Sequence, residues 1–263
     1  MLYIYNIKNL FCIVLLYECK NNVKMKKHIP NLITSLNLVC GGIACIFILD
    51  GDFLIASILV LIGIFFDFFD GLAARMLNVS SALGLQLDSL ADLVTSGLVP
   101  TLGVYFMLNE LITENQPSQI EFYFPYLAFL ILIGSAYRLA KFNIDARQTS
   151  AFIGLPTPSN ALLVLSILLV IRYQEEFVFH PIIANSYFLI LLSIGSLFLL
   201  NMEVTLFGLK FKSLKLQENW YRYFILILAL ALIGLFAYLG VFLSIIAYII
   251  LSVFIPKEST ITK

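Results

Sequence analysis

Long apolar runs alternate with short polar clusters along this chain. Runs bounded by Gly, Pro, Asn or charge fall near 31–49, 53–74, 88–108, 123–140, 158–172, 181–201, 221–238 and 240–256. A helix crossing the hydrocarbon core of a bilayer needs about 20 apolar residues, so each run reads as a span. SILVLIGIFF (57–66) and YFLILLSIGSLFLL (187–200) are apolar on nearly every side. Strands of a membrane barrel would instead alternate in polarity over about ten residues. The pattern therefore predicts an all-α, polytopic integral membrane helical bundle of about eight transmembrane helices. Composition agrees: the chain is 61% hydrophobic and 12% charged, against about 45–50% and about 25% for a soluble domain.

Formal net charge is zero, which offers no basic field for nucleic acid, so no nucleic-acid partner is expected. The placement of the charges carries more information than their sum. With the start of the first span placed inside, inner loops receive Lys24, Lys26, Lys27, Arg75, Arg138, Lys141, Arg147, Lys210, Lys212, Lys215, Arg222, Lys257 and Lys263. Outer loops receive only Arg172 among the Lys and Arg, together with Asp50, Asp52, Glu110, Glu114, Glu121, Glu175 and Glu176. Such asymmetry follows the positive-inside rule and predicts both termini in the cytoplasm. Residues 1–24 fit less well: the apolar run from Leu10 to Tyr17 is too short to span and lacks a small-residue cleavage site. They are expected to be an N-terminal extension or an upstream start, with the working chain beginning near Met25. The four cysteines (Cys12, Cys19, Cys40, Cys45) lack C-x-x-C spacing and read as small apolar side chains.

Ionisable groups inside spans cost a few kcal/mol each on insertion scales, so each calls for an explanation. Most of them lie in DFFDGLAARMLNVSSALGLQLDSLAD (67–92), whose acids are Asp67, Asp70, Asp88 and Asp92. Asp67 and Asp70 (i, i+3) share a helical face with Ala74, and Gly84, Asp88 and Asp92 (i, i+4) share a face of the next helix. At 1.5 Å rise, Asp67 before Arg75 and Asp92 after Gly84 each sit about 12 Å from the inner loop, so the two pairs reach one level. Four carboxylates in low dielectric repel one another unless cations neutralise them, and an all-oxygen set suits hard ions, so two divalent cations, Mg²⁺ or Mn²⁺, are expected. A metal pair of this kind clamps phosphate oxygens during an in-line displacement at phosphorus. Gly71, Ala74 and Gly84 remove side-chain volume from the carboxylate face, either to admit a bulky ligand or to pack helices closely.

The block matches D-x2-D-G-x2-A-R-x8-G-x3-D-x3-D at every fixed position, and it resembles the CDP-alcohol phosphatidyltransferases. The resemblance implies that Asp67, Asp70 and Asp88 are metal ligands, Asp92 the general base and a further possible ligand, and Asp67, Gly71, Ala74, Arg75 and Gly84 contacts of the CDP moiety. It also places Asn31 and Thr34, on one face of the first span with Asn37, beside the nucleotide; hydrogen bonding between helices explains that face equally well. Six spans in 25–220 would form the family core, and 221–263 would add two spans and a cytoplasmic tail.

PNLITSLNLVCGG (30–42), LDSLADLVTSGLVP (87–100), YRLAKFN (137–143) and FIGLPTPSNA (152–161) resemble the phosphatidylserine synthase branch. LLNMEVTLFGLKFKSLK (199–215) matches the branch only loosely. The implied reaction is phosphatidyl transfer from CDP-diacylglycerol to L-serine in the lipid bilayer, by a homodimer with its active site on the cytoplasmic side of a bacterial inner membrane. Arg138 and Lys141 (i, i+3) either flank the membrane or attract a pyrophosphate or carboxylate, while Asn143, Thr157, Ser159 and Asn160 are candidates for the acceptor pocket. Pro156 and Pro158 suit the first turn of the fifth span. His28 and His180 read as interfacial, and Glu203 and Glu218 as balancing a basic loop. A phosphorylated acceptor would call for more cations than Arg138 and Lys141, which argues against glycerol 3-phosphate. A cation-coupled transporter is the rival class, but its usual second, related half is missing from 150–263.

Overall fold

A computed structural model describes residues 28–77, 79, 81–114, 118–144, 152–207 and 216–254. Residues 1–24, Met25, Asp145, Arg147 and most of the expected inner-loop lysines lie outside the described residues. The elements in chain order are α1 (His28–Leu49), α2 (Phe53–Met76), α3 (Ala82–Asp92), a π-helical segment Leu93–Leu98, α4 (Val99–Glu114), a 3-10 segment Glu121–Ala128 that feeds α5 (Phe129–Ile144), α6 (Thr157–Tyr173), the short α7 (His180–Ile183), α8 (Ser186–Asn201), α9 (Leu216–Phe236) and α10 (Tyr238–Phe254). Among the described residues, five helices are long and apolar enough to cross a membrane, and three shorter apolar ones (Thr157–Tyr173, Ser186–Asn201, Tyr238–Phe254) complete the eight that the hydrophobic pattern predicts.

Several boundaries have local causes. Asp52 caps α2 by accepting from the Ile55 N–H at 3.0 Å, and Ser81 caps α3 by accepting from the Gly84 N–H at 3.0 Å; both oxygens satisfy otherwise orphaned first-turn donors. The run expected from 181 starts its long helix only at Ser186, because Asn185 caps it through the Tyr187 N–H at 2.9 Å. Within the third rod, Pro100 has no N–H to give Ser96 and its ring crowds that carbonyl, so the helix widens to a π turn, with Val99 N bonded to Val94 O.

Because lipid surrounds the bundle, its outside is apolar: Ile58, Leu61 and Phe65 on α2 and Leu191 and Phe198 on α8 are exposed. Burial instead marks the centre of the bundle. That centre is α6, which is buried on every side from Leu163 to Ile171. Its start is pinned from below by a two-residue antiparallel bridge, Phe152–Ile153 against Thr205–Leu206. Gly154 follows in the left-handed region (φ +75), where a Cβ would press 2.5 Å from the Leu200 carbonyl oxygen, so only glycine passes there. Pro156 precedes the first turn of α6 and Pro158 lies within it.

The last hairpin turns at Ala237 (φ 49). Gln174, at the end of α6, holds that turn from both sides, donating to Phe236 O at 3.1 Å and accepting from the Leu239 N–H at 3.2 Å. Tyr248 of α10 donates to Phe207 O at 2.7 Å.

Candidate active site

The four aspartates come from two helices that α1 holds together. Asp67 and Asp70 lie on α2, Asp88 and Asp92 on α3. Carboxylate oxygens of Asp67, Asp70 and Asp88 lie within 4.8 Å of one another. Asp70 is buried, with 6% of its surface exposed. Asp88 Oδ1 is buried and has no hydrogen-bond partner among the described residues. Three close carboxylates with an orphaned oxygen in an apolar bundle form an anionic hole that hard divalent cations fit and soft metals do not.

Asp92 does not join that group. One turn further along α3 and nearly buried, it accepts a hydrogen bond from Asn37 Nδ2 at 3.2 Å and feels the attraction of the Arg138 guanidinium. The site thus holds three carboxylates facing one another and a fourth, one turn along α3, that accepts from a neutral donor.

The polar face of α1 supplies the scaffolding. Thr34 Oγ1 lies within hydrogen-bonding reach of both Asp70 and Pro30 O, the latter at 3.0 Å, and its single proton serves one of them at a time, while Asn37 donates to Asp92. Thr95, from the π segment, donates to Asn37 O at 3.0 Å. A side chain at Gly41 would strike Thr95, and one at Gly63 would come within 2.7 Å of Thr95 Cγ2 and 2.8 Å of Asn37 Oδ1. These glycines let α1, α2 and the π segment close on one another.

The small residues of the aspartate block behave differently. A Cβ on Gly71 would meet nothing within 4 Å, so its face is open. At Gly84, however, it would sit 3.0 Å from Asn31 Oδ1 and 3.1 Å from Ser81 Oγ, which brings Asn31 to the mouth of the site. Arg75 is exposed at the end of α2, its Nε returned to Gly71 O at 2.9 Å, and Ala74 lies between them, half-buried.

The two cations of α5 diverge. Arg138 is buried, donates from Nη1 to Thr157 Oγ1 at 2.9 Å and stacks over Phe142 at 5.7 Å. Lys141 turns to Glu203, with Nζ 2.9 Å from Oε1. Asn143 exchanges hydrogen bonds with Ser89 of α3, at 2.9 Å where it donates. Ser159 is half-buried. His180 bonds Ile171 O at 3.0 Å, within the bundle's outer end. Thr95, Ser96 and Ser135 are wholly buried polar residues near the site that the sequence reading passed over; the only signal for them was a hydroxyl inside an apolar run, which is common in membrane helices.

Comparison with known proteins agrees with this geometry. The family model for CDP-alcohol phosphatidyltransferase matches residues 27–254, and the chain belongs to that family. Among its relatives is a protein of Bacillus subtilis named CDP-diacylglycerol–serine O-phosphatidyltransferase, 37% identical over 135 residues, which are 50% of this chain and 70% of that protein. Proteins with the same name from Helicobacter pylori and Saccharomyces cerevisiae are 33% identical over 148 residues and 34% over 186. Those alignments cover 55% and 59% of this chain and only 59% and 64% of the two relatives.

Proposed function

We propose that this protein transfers the phosphatidyl group of CDP-diacylglycerol to L-serine, forming phosphatidylserine and CMP. The observation that carries the reading is the division of the aspartates: Asp67, Asp70 and Asp88 face one another, while Asp92 stands apart on Asn37. The names of the aligned relatives support serine as the acceptor.

In this reading Asp67, Asp70 and Asp88 would hold two divalent cations, Mg²⁺ or Mn²⁺, and Asp92, one turn along α3 from Asp88, would be the further ligand as well as the base. When bound, such cations supply Lewis-acid stabilisation of charge on the phosphate oxygens. The open face at Gly71 and the exposed Arg75 admit the CDP moiety, with Asn31, Thr34, Ala74 and Gly84 around it, and the diacylglycerol tails stay in the inner leaflet. A serine hydroxyl is hardly ionised at neutral pH, so Asp92 accepts its proton as the oxygen attacks the phosphorus that carries diacylglycerol. The bond from that phosphorus to the bridging oxygen breaks, and CMP leaves. In this reading Arg138, which donates to Thr157, faces the acceptor. We place the site on the cytoplasmic face of a bacterial inner membrane, in a homodimer whose protomers each carry a six-span core, 25–220.

The test is CMP release from CDP-diacylglycerol by detergent-purified protein with Mg²⁺ or Mn²⁺, offering serine, glycerol 3-phosphate and inositol in parallel, with EDTA as control. The expected result is EDTA-sensitive release that needs serine. Release driven by another alcohol overturns the acceptor, and no release with any acceptor overturns the reaction.

A further inference from the structure

We propose that Asn160 selects the acceptor, its side-chain amide reading the carboxylate and ammonium of a small zwitterionic amino acid. The inference rests on the serine-transfer reading and adds a residue to it. Asn160 is wholly buried (0% exposed), and neither Nδ2 nor Oδ1 has a hydrogen-bond partner among the described residues. Asn201 and Asn37 each leave only Oδ1 unmet and spend the amide N–H on their neighbours, Asn201 on Gly134 O and Leu197 O at 3.2 and 3.0 Å and Asn37 on Asp92; Asn160 spends neither end. Leaving both ends of an amide unmet inside a bilayer-embedded bundle is costly, and a polar ligand removes that cost.

The neighbours define the ligand. Asn160 lies one turn beyond Thr157 on α6, and helical side chains lean toward the N-terminus, which carries its amide toward Thr157. Thr157 in turn holds Arg138, whose Nε is also buried and unpartnered. Ser135, one turn before Arg138 on α5, adds another unpartnered hydroxyl, and Asp92 feels the same guanidinium. Guanidinium and amide N–H together suit a carboxylate, while the amide C=O accepts from an ammonium. Phosphate monoesters and inositol carry no ammonium for that carbonyl. Lys141 and Asn143 are occupied with Glu203 and Ser89, which leaves this choice to Asn160.

Asn160→Leu keeps the side chain's size and removes both functions. Its CMP release is to be compared with that of the unaltered protein using serine and ethanolamine, which lacks the carboxylate, at varied CDP-diacylglycerol. A hydrogen bond to a charged group predicts a rise in serine KM of about tenfold or more, CDP-diacylglycerol KM within about twofold, and a shrinking preference for serine over ethanolamine. An equal fall with both acceptors, as from a merely structural residue, or an unchanged serine KM overturns the proposal. If Asn160→Leu is not recovered folded, Asn160→Asp gives the same reading: its added carboxylate repels that of serine, so the serine-to-ethanolamine ratio must fall, and an unchanged ratio overturns the proposal. Failure of the unaltered protein to use serine overturns the underlying reading first, and this proposal with it.

Discussion

At the scale of single residues, Asp92 and Lys141 show how much a side chain's neighbours decide. Asp92 accepts from Asn37 and lies outside the trio of carboxylates that approach one another most closely, and asparagine keeps its size and its place beside Asn37. Asp92→Asn is expected to fold and to bind CDP-diacylglycerol while losing turnover by about a hundred- to ten-thousand-fold, the usual contribution of a positioned base. CMP release alongside a lipid-binding measurement checks this, and near-normal turnover removes Asp92 from the base role. Lys141 makes the opposite case. Its partly exposed ion pair with Glu203 belongs to a class worth about 0–1 kcal/mol, so Lys141→Ala is expected to leave the melting temperature nearly unchanged and the serine KM within about twofold. A large rise in serine KM would return Lys141 to the acceptor pocket. The aspartates were readable from sequence because a charge inside an apolar run is costly and has to be explained. Asn37, Thr95 and Ser135 were harder to read, since neutral polar groups are frequent in membrane helices and only packing reveals whom they meet.

Helices differ in what their small residues do, and α2 contains both cases. Gly63 is closed against Thr95 and Asn37, whereas Gly71, two turns on, faces open space. Gly63→Val therefore overpacks the contact between α1, α2 and the π segment and is expected to cost about 1–3 kcal/mol, read as a lower melting temperature in detergent. Gly71→Leu fills the open face instead: melting should hold while the KM for CDP-diacylglycerol rises several-fold. If Gly71→Leu lowers melting as much as Gly63→Val, both glycines serve packing alone. Hydrophobic pattern predicts eight apolar helices because a span's length is set by the bilayer, and the described residues contain eight. It missed the π turn at Leu93–Leu98 and the short α7, which arise from single residues, Pro100 and the Asn185 cap, against a uniform apolar background.

Across the whole molecule, the ends of the bundle differ in chemistry, and the difference predicts its orientation. At one end the α1–α2 turn, the end of α4 and the end of α6 meet: Arg172 pairs with Glu110 at 3.0 Å and stacks over Phe53 at 6.0 Å. That pairing neutralises Arg172, the one cation that the charge pattern assigns to the expected outer loops. Arg75 at the end of α2, Lys141 near the end of α5 and the start of α6 belong to the opposite end, toward which the aspartate-bearing part of α2 runs. The positive-inside rule then predicts that the site faces the cytoplasm. Leu83, 70% exposed in the first turn of α3, and Val178, 84% exposed between α6 and α7, are separated by three membrane crossings. With the native cysteines replaced by alanine, Leu83→Cys should react with a membrane-impermeant maleimide only from the cytoplasmic side, and Val178→Cys only from the opposite side. A reversed pattern would invert the orientation and place the site where CDP-diacylglycerol and serine would have to reach it from outside. Labelling of both from one side would instead break the count of crossings between them, and with it the shared level of the two aspartate pairs on which the proposed chemistry depends.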